Sequence, residues 1–357
     1  MAAASDPGAP SEGSGPPVPR ALAVVGFLGI SDYGLGQLEV LASRYEVAFA
    51  TAKKNAVAHA TDLHQKLEDF CKSHGIPYLG SVDANSQSMV DRASRTDLVV
   101  IGGYDGILKK AFLSAPKHGV INTHLGLLPQ NRGCCPTLWA QLHGRQQGYT
   151  TYLVGEAIDH GPIVDMFEVP GLGGLNNRQI YDALAQAAVQ RFPAALERFA
   201  AGVALVPCRG LDVYHTKGMP NDGWLSFYWS NDFLILFSKA LDFAPYLPGR
   251  TRLEEDGEAI SLAVDSARPL DEDPSAEEAA VGEVLEADEA RVLVRSRFGS
   301  LCCRQLTGPK VTKGALLRSG RPYEQSATSG PCRHPIPLDF DGQELPFERY
   351  LSVTGVQ

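Results

Sequence analysis

Between Ala21 and Ile121, short apolar runs alternate with segments whose apolar residues recur at helical spacing. The runs are Ala21–Leu28, Val47–Thr51, Pro77–Leu79, Asp97–Ile101 and Gly119–Ile121. Between them, Leu38–Arg44, Asp62–His74, Ser86–Ala93 and Ile107–Leu113 read as helices, the second marked by Leu63, Leu67 and Phe70. Short apolar runs, each closed by a helical segment before the next, suit the strands of a parallel sheet. Helical crossovers carry the chain back to start each new strand in the same direction. The expected fold class is therefore α/β, a doubly wound, mostly parallel sheet. Ligands of such sheets lie outside the carboxyl ends of the strands. Three segments fall at such ends: Gly102–Gly106, Asn122–Gly133 and the turn around Asp159. Gly34 and Gly36, after the first run, lack the spacing of a dinucleotide loop and suit tight strand-to-helix packing instead.

The fifth run delivers Asn122 and His124, one position apart, so strand alternation points both side chains to the same face. Pro129, Asn131 and Gly133 then break the strand into a loop. A second pair of strands follows, Thr150–Val154 and a run ending at Val169, with Asp159 in the turn between them. Taken alone, Asn122 and His124 suit either an active site or a strand end with two satisfied polar groups. Asp159 before a glycine-containing turn also has a plain structural use.

Taken together, Asn122, His124, Leu127-Leu128-Pro129, Arg132-Gly133 and Asp159-His-Gly-Pro-Ile163 resemble the formyltransferases that use formyltetrahydrofolate, the family of methionyl-transfer-RNA, nucleotide-sugar and amino-acid N-formyltransferases. Pro136, Trp139, Ala140 and Gly144 fit the helix that follows the loop in that family. Gly126 stands where the family usually has Ser, and His160 where it usually has Thr. The resemblance implies catalysis by Asn122, His124 and Asp159 and no metal. It also implies that formyltetrahydrofolate, the formyl donor, is held by Tyr104, Asp105, Gly106, Ile107 and Leu108 and by Glu156, Ala157 and Ile158. An apolar slot for a flat pterin would come from Ile107, Leu108 and Ile158. Formyl transfer to an amine passes through a tetrahedral oxyanion, which needs hydrogen-bond donors and a group that moves a proton. An Asn amide, an imidazole and a carboxylate supply these. Cys134 and Cys135 follow the loop but read as small residues at a helix start, with no role in the chemistry.

Beyond a long helical stretch, Asn177–Phe199, the chain becomes rich in aromatics from Tyr214 to Phe237. Tyr214 to Gly223 and Phe243 to Gly249 resemble the linker of family members with a second domain, and these aromatics suit core filling. Short strands return at Gly282–Leu285, Arg291–Val294 and Ser300–Cys303, resembling the family's small barrel-like C-terminal domain. The expected division is a disordered tail at 1–20, a catalytic domain at 21–205, a linker at 206–250 and a smaller C-terminal β-rich, barrel-like domain at 251–357. Leu270–Ala280, acidic and Ser/Pro-containing, reads as a flexible loop, and the chain beyond Arg318 carries no readable pattern.

Charge and composition bear on partners. Net charge is −9, and Glu254–Glu289 holds fourteen acids against one base, Arg268. Such a stretch repels a phosphate backbone, and no Lys/Arg cluster marks a nucleic-acid face. The expected acceptor is therefore a small-molecule amine: a nucleotide-linked amino sugar, an amino acid or a specialised metabolite. No apolar run is long enough to span a membrane, and the start carries no signal-peptide core. Seven Cys without a Cys-x-x-Cys pair suit free thiols in a cytoplasmic protein. Alternative readings on the same residues are a methionyl-transfer-RNA formyltransferase, a formyltetrahydrofolate hydrolase with water as acceptor, and a folate-binding protein without activity. The sequence carries no signal for oligomeric state.

Overall fold

The computed structural model describes residues 18–52, 59–215, 219–243, 248–273 and 276–318. The expectations for 1–17, for part of the linker and for the chain beyond Arg318 lie outside the described residues. The first half runs β1 (Val24–Gly29), α1 (Asp32–Arg44), β2 (Glu46–Thr51), α2 (His59–Ser73), α3 (Gln87–Ala93), β3 (Leu98–Gly102), α4 (Lys110–Leu113) and β4 (Val120–His124). Next come β5 (Arg132–Gly133), α5 (Pro136–Leu142), β6 (Gly148–Leu153), β7 (Ile163–Glu168) and α6 (Asn177–Ala200).

The main sheet has the order β2-β1-β3-β4-β6-β7. The first four strands are parallel; β6 pairs antiparallel with β4, and β7 with β6. On one face Val25, Phe27, Leu38 and Val100 meet Phe192, Leu196 and Phe199 of α6. On the other, Leu28, Phe49, Met89, Val99 and Phe112 close a second cluster. β3 is buried along its whole length, as its unbroken apolar sequence requires.

Local chemistry explains where the sequence reading and the structure part. Pro77–Leu79 forms only a bridge, Ala50 to Tyr78, because Pro77 has no N–H to extend the ladder. The helix expected over Ile107–Leu113 is cut to Lys110–Leu113 because Asn85 captures its first turn. The Asn85 amide donates to the Ile107 carbonyl at 2.9 Å and its oxygen accepts from the Lys109 N–H at 2.7 Å. α1 begins at Asp32, earlier than expected, since the Ser31 hydroxyl accepts from the Gly34 N–H at 3.0 Å and caps it. Gly34 thus lies inside the helix, where a β-carbon would stand 2.1 Å from the Gly102 carbonyl oxygen. Close helix–strand approach is its use. Arg20, which the sequence places in the tail, is instead fixed on α6: its guanidinium donates to the Phe199 carbonyl at 2.7 Å and covers the Phe199 ring.

The second half contains β8 (Tyr214–His215), α7 (Asn231–Leu241), β9 (Arg250–Leu253), β10 (Ala259–Pro269), β11 (Val284–Ala287), β12 (Val292–Ser296), β13 (Gly299–Thr307) and β14 (Leu317–Arg318). Strands β9 to β14 form one antiparallel, curled half-barrel in the order β11-β12-β13-β10-β9-β14. Its apolar face takes Phe227, Trp229, Phe233 and Phe237 from the aromatic segment, together with Leu138 and Trp139 of α5. The aromatics fill a core that joins the half-barrel to α5. The flexible loop expected over Leu270–Ala280 is anchored where it is described. Leu270–Glu272 makes a short 3-10 turn, Asp273 is buried and accepts from the Ser300 hydroxyl, and Ala276 is fully covered.

Candidate active site

β4 ends at the carboxyl edge of the parallel sheet and carries Asn122 and His124 there. Its partner β6 sets Tyr152 directly opposite Asn122 and Thr150 opposite His124. Directly opposed residues share a sheet face. The same face therefore presents Asn122, His124, Thr150 and Tyr152, while Thr123 points away and bonds Gln37 of α1 at 2.7 Å. Asp159 arrives from the β6–β7 turn with φ of 47°, a left-handed conformation that Asp tolerates better than most residues.

The carboxylate of Asp159 is held from two sides. Its Oδ1 accepts from the Tyr152 hydroxyl at 2.8 Å and its Oδ2 from the Gly133 N–H at 2.8 Å. The Tyr152 oxygen in turn accepts from the Asn122 amide at 3.1 Å. His124 Nδ1 lies 3.8 Å from Asp159 Oδ2, within ion-pair range but beyond a hydrogen bond. Its Nε2 lies 2.7 Å from the Asn131 carbonyl oxygen. A carbonyl only accepts, so Nε2 carries the proton and the neutral ring has its lone pair on Nδ1. The imidazole therefore offers a base on the side of Asp159, and the carboxylate stabilises the cation once a proton arrives. Asn131 is itself buried, and Arg145 fixes its loop by donating to the Gln130 carbonyl at 2.6 Å.

Two further groups hold this arrangement. The Thr150 hydroxyl donates to the Gly126 carbonyl at 2.8 Å and accepts from the Leu128 N–H at 3.1 Å, closing the turn after β4. Arg132 ties three segments: its Nε and one terminal nitrogen donate to the Ile158 carbonyl at 2.9 and 2.7 Å, and the other grips the Asp212 carboxylate at 2.7 and 3.0 Å. Gly133 has φ of 90°, and a β-carbon there would stand 2.1 Å from the His215 carbonyl oxygen. Only glycine fits where β5 pairs with β8 and still donates to Asp159.

The expected folate residues fall on two segments, 104–108 and the 156–158 turn that leads into Asp159. Lys110 and Glu156 pair across them at 3.3 Å, both exposed. Asp105 and Ala157 are exposed as well, and the Tyr104 ring covers Gly106, where a β-carbon would meet it at 2.3 Å. Burial and then the nearby acids raise the Tyr104 phenol above its ordinary range. Ile107 is 73% exposed and Ile158 42%, two large apolar side chains left open to solvent. Leu108 differs from the expected slot residue. It turns inward and packs with the Val99 and Phe112 cluster.

Sequence reasoning missed Tyr152, Asn85, Thr150 and Asp212. Tyr152 sat in an alternating strand and could have been found from its register with Asn122. The other three depend on loop closures that no local pattern announces. Among the described residues no group of His, Cys, Asp and Glu could hold a metal ion.

Residues 47–196 match the formyl transferase family. Over that stretch the chain is similar to formyl transferases. A methionyl-tRNA formyltransferase of Citrifermentans bemidjiense is 26% identical over 289 residues, 78% of this chain and 87% of that protein. A 4-N formyltransferase from Francisella tularensis superposes with a TM-score of 0.56 at 16% identity, covering 69% of this chain and 98% of the other. An N-formyltransferase from Helicobacter canadensis, solved with folinic acid and dTDP-3-aminofucose, superposes with a TM-score of 0.53 at 14% identity, covering 80% and 99%. The likeness to these two solved structures is one of fold. As a formyl-transferring enzyme the chain needs a donor, an acceptor and a proton path, and the site must be judged against those three needs. No described helix is long and apolar enough to cross a membrane.

Proposed function

We propose that this chain moves a formyl group from formyltetrahydrofolate to the amine of a small-molecule acceptor, with Asn122, His124 and Asp159 as the catalytic residues. The observation that carries this reading is the His124 tautomer. The Asn131 carbonyl claims Nε2, leaving Nδ1 as a free base beside a carboxylate held by two donors. The donor supplies an activated formyl carbon on a leaving folate nitrogen. Attack by the acceptor amine forms the new C–N bond and places charge on the formyl oxygen. The Asn122 N–H that Tyr152 does not occupy donates to that oxyanion. His124 Nδ1 takes the ammonium proton, Asp159 stabilises the imidazolium, and the same proton goes to the folate nitrogen as its bond to carbon breaks. No side-chain nucleophile is required.

The exposed Ile107 and Ile158, with backbone groups of Tyr104–Leu108 and Glu156–Ile158, suit the flat, partly apolar ring of a folate. The folinic acid in the Helicobacter canadensis enzyme supports the same donor here. On this reading 21–205 is the catalytic unit, 206–250 a linker and 251–357 an accessory β-rich domain. A nucleotide-linked amino sugar is the acceptor class we favour, on the acidic charge of Glu254–Glu289 and on the dTDP-3-aminofucose bound by that relative.

A second reading has a specific observation behind it: the Citrifermentans bemidjiense relative acts, by its name, on methionyl-tRNA. Measuring formyl transfer to initiator methionyl-tRNA and to a panel of amino sugars, amino acids and diamines decides between them. Efficient, salt-sensitive formylation of the RNA with no small amine used would overturn the small-acceptor reading. Release of formate without any amine would point to a hydrolase.

A further inference from the structure

The phenol of Tyr152 stands between two of the three catalytic residues and has one proton to give. The Asp159 carboxylate can only accept, so the phenol proton goes to Oδ1, at 2.8 Å. What remains on the Tyr152 oxygen is lone pairs. The group that Asn122 turns toward it, at 3.1 Å, must therefore be an N–H. An Asn amide can otherwise sit with oxygen and nitrogen exchanged. Here the exchanged orientation would set the amide oxygen against an oxygen with no proton left, two acceptors face to face.

We propose that Tyr152 is a positioning residue that reads the charge of Asp159 and, through it, locks the Asn122 amide with its second N–H turned into the cleft. The inference rests on the formyl-transfer function proposed above. Tyr152 is 2% exposed, so its hydroxyl acts through its neighbours, whereas Asn122 is only half-buried and reaches the cleft. Burial, and then the Asp159 charge, push the phenol well above its ordinary range, so it remains a proton donor at any working pH. The chain Asn122 to Tyr152 to Asp159 ends on a carboxylate, and a hydrogen bond to a charge makes the intervening oxygen a stronger acceptor for the amide. Asp159 thus has two separate connections to catalysis: electrostatic to His124 and geometric to Asn122. The cross-strand pairing of β4 with β6 sets the phenol at its place.

Tyr152→Phe removes one oxygen and keeps the ring. The expected result is folate affinity and acceptor KM within about threefold of native, with kcat lower by roughly ten- to a hundredfold, the range of a misaimed oxyanion donor. In an Asn122→Ala background the same change should cost no more than about threefold, since the amide it aims is gone. A third readout needs no turnover. Exchange of the Asn122 side-chain amide protons, followed by 15N NMR, should be at least about tenfold faster in Tyr152→Phe, since the protecting bond is lost. Native-like amide exchange in the variant, or a full multiplicative loss in the Asn122→Ala background, would overturn the proposal. Tyr152→Met, also without a donor, substitutes if the Phe variant does not fold. A native chain that transfers no formyl group would strike the proposed function instead, while amide exchange would still report on Tyr152.

Discussion

Gly126 lies against the His124 imidazole so closely that a β-carbon there would stand 3.0 Å from its Nε2. The same β-carbon would stand 3.0 Å from the Asn131 carbonyl oxygen and 2.8 Å from Cβ of Pro136. Those first two atoms form the hydrogen bond that fixes the His124 tautomer. The Pro136 ring opens α5 and has little room to yield. Gly126→Ser, the residue usual in the family at this position, should therefore displace the imidazole. We expect kcat to fall about tenfold or more, as small misplacements in an active site do, with folate affinity kept. Steady-state kinetics beside folate calorimetry checks this, and unchanged kcat would show that the loop adapts freely.

Asn122, His124 and Asp159 form one unit through Tyr152 and the 3.8 Å approach of Nδ1 to the carboxylate. Each single Ala variant should lose roughly a hundredfold or more in kcat while remaining folded. Because Asp159 acts on both partners, Asp159→Ala combined with His124→Ala should lose far less than the product of the two. A folded His124→Ala variant with near-native turnover would remove the imidazole from the mechanism.

Arg132 should prove sensitive to a charge-conserving change. Its planar fork donates to Ile158 and Asp212 at once, and Ile158 immediately precedes Asp159. Lys can meet only one of those two acceptors well. Arg132→Lys is expected to lower kcat by about tenfold through a loosened Asp159 turn, and to weaken folate binding if the proposed donor site includes that turn. Kinetics with a folate titration measures both, and native values for both would assign Arg132 to the surface.

Much of this was legible before the structure. The parallel order of β1 to β4 followed from the apolar runs, because fully buried strands need no alternation and announce themselves by composition. Asn122, His124 and Asp159 stood out only through the resemblance, since a strand end and a glycine-containing turn alone leave each a plain structural use, and the structure brings the three side chains together. Tyr152 was not legible, since on its own strand it is one aromatic in an alternating pattern, and its meaning lies in the register with β4. The inward packing of the Leu108 side chain was hidden for a related reason. Whether a loop leucine faces a cleft or the core depends on Asn85, far away in sequence, holding that loop by Ile107 and Lys109. Three half-barrel strands, β11 to β13, were found but shifted by a few residues, as β13 runs on to Thr307 through a mostly polar, surface-facing stretch that carries little pattern, while β9, β10 and β14 were not found.

His143 gives the fold a pH dependence that can be measured apart from catalysis. Its ring lies 5.5 Å from His215 and 5.7 Å from Trp139, whose indole stacks on His215 at 4.5 Å. This cluster sits where α5 meets β8. Burial, and then the Arg145 charge, pull the His143 ring down to about 3. An unfolded His binds its proton near pH 6.5. The folded ring stays neutral below that, so the unfolded chain gains a proton that the folded chain refuses. Stability is therefore fully present above about pH 6.5 and lost progressively as pH falls toward 3. Between pH 7 and pH 5 this one group should account for about 2 kcal/mol. His143→Phe keeps an aromatic ring and has nothing to titrate. Urea unfolding of both proteins at the two pH values should show the variant losing about 2 kcal/mol less on acidification. Equal losses in the two proteins would mean that His143 takes up its proton while folded, and that the cluster opens to admit it.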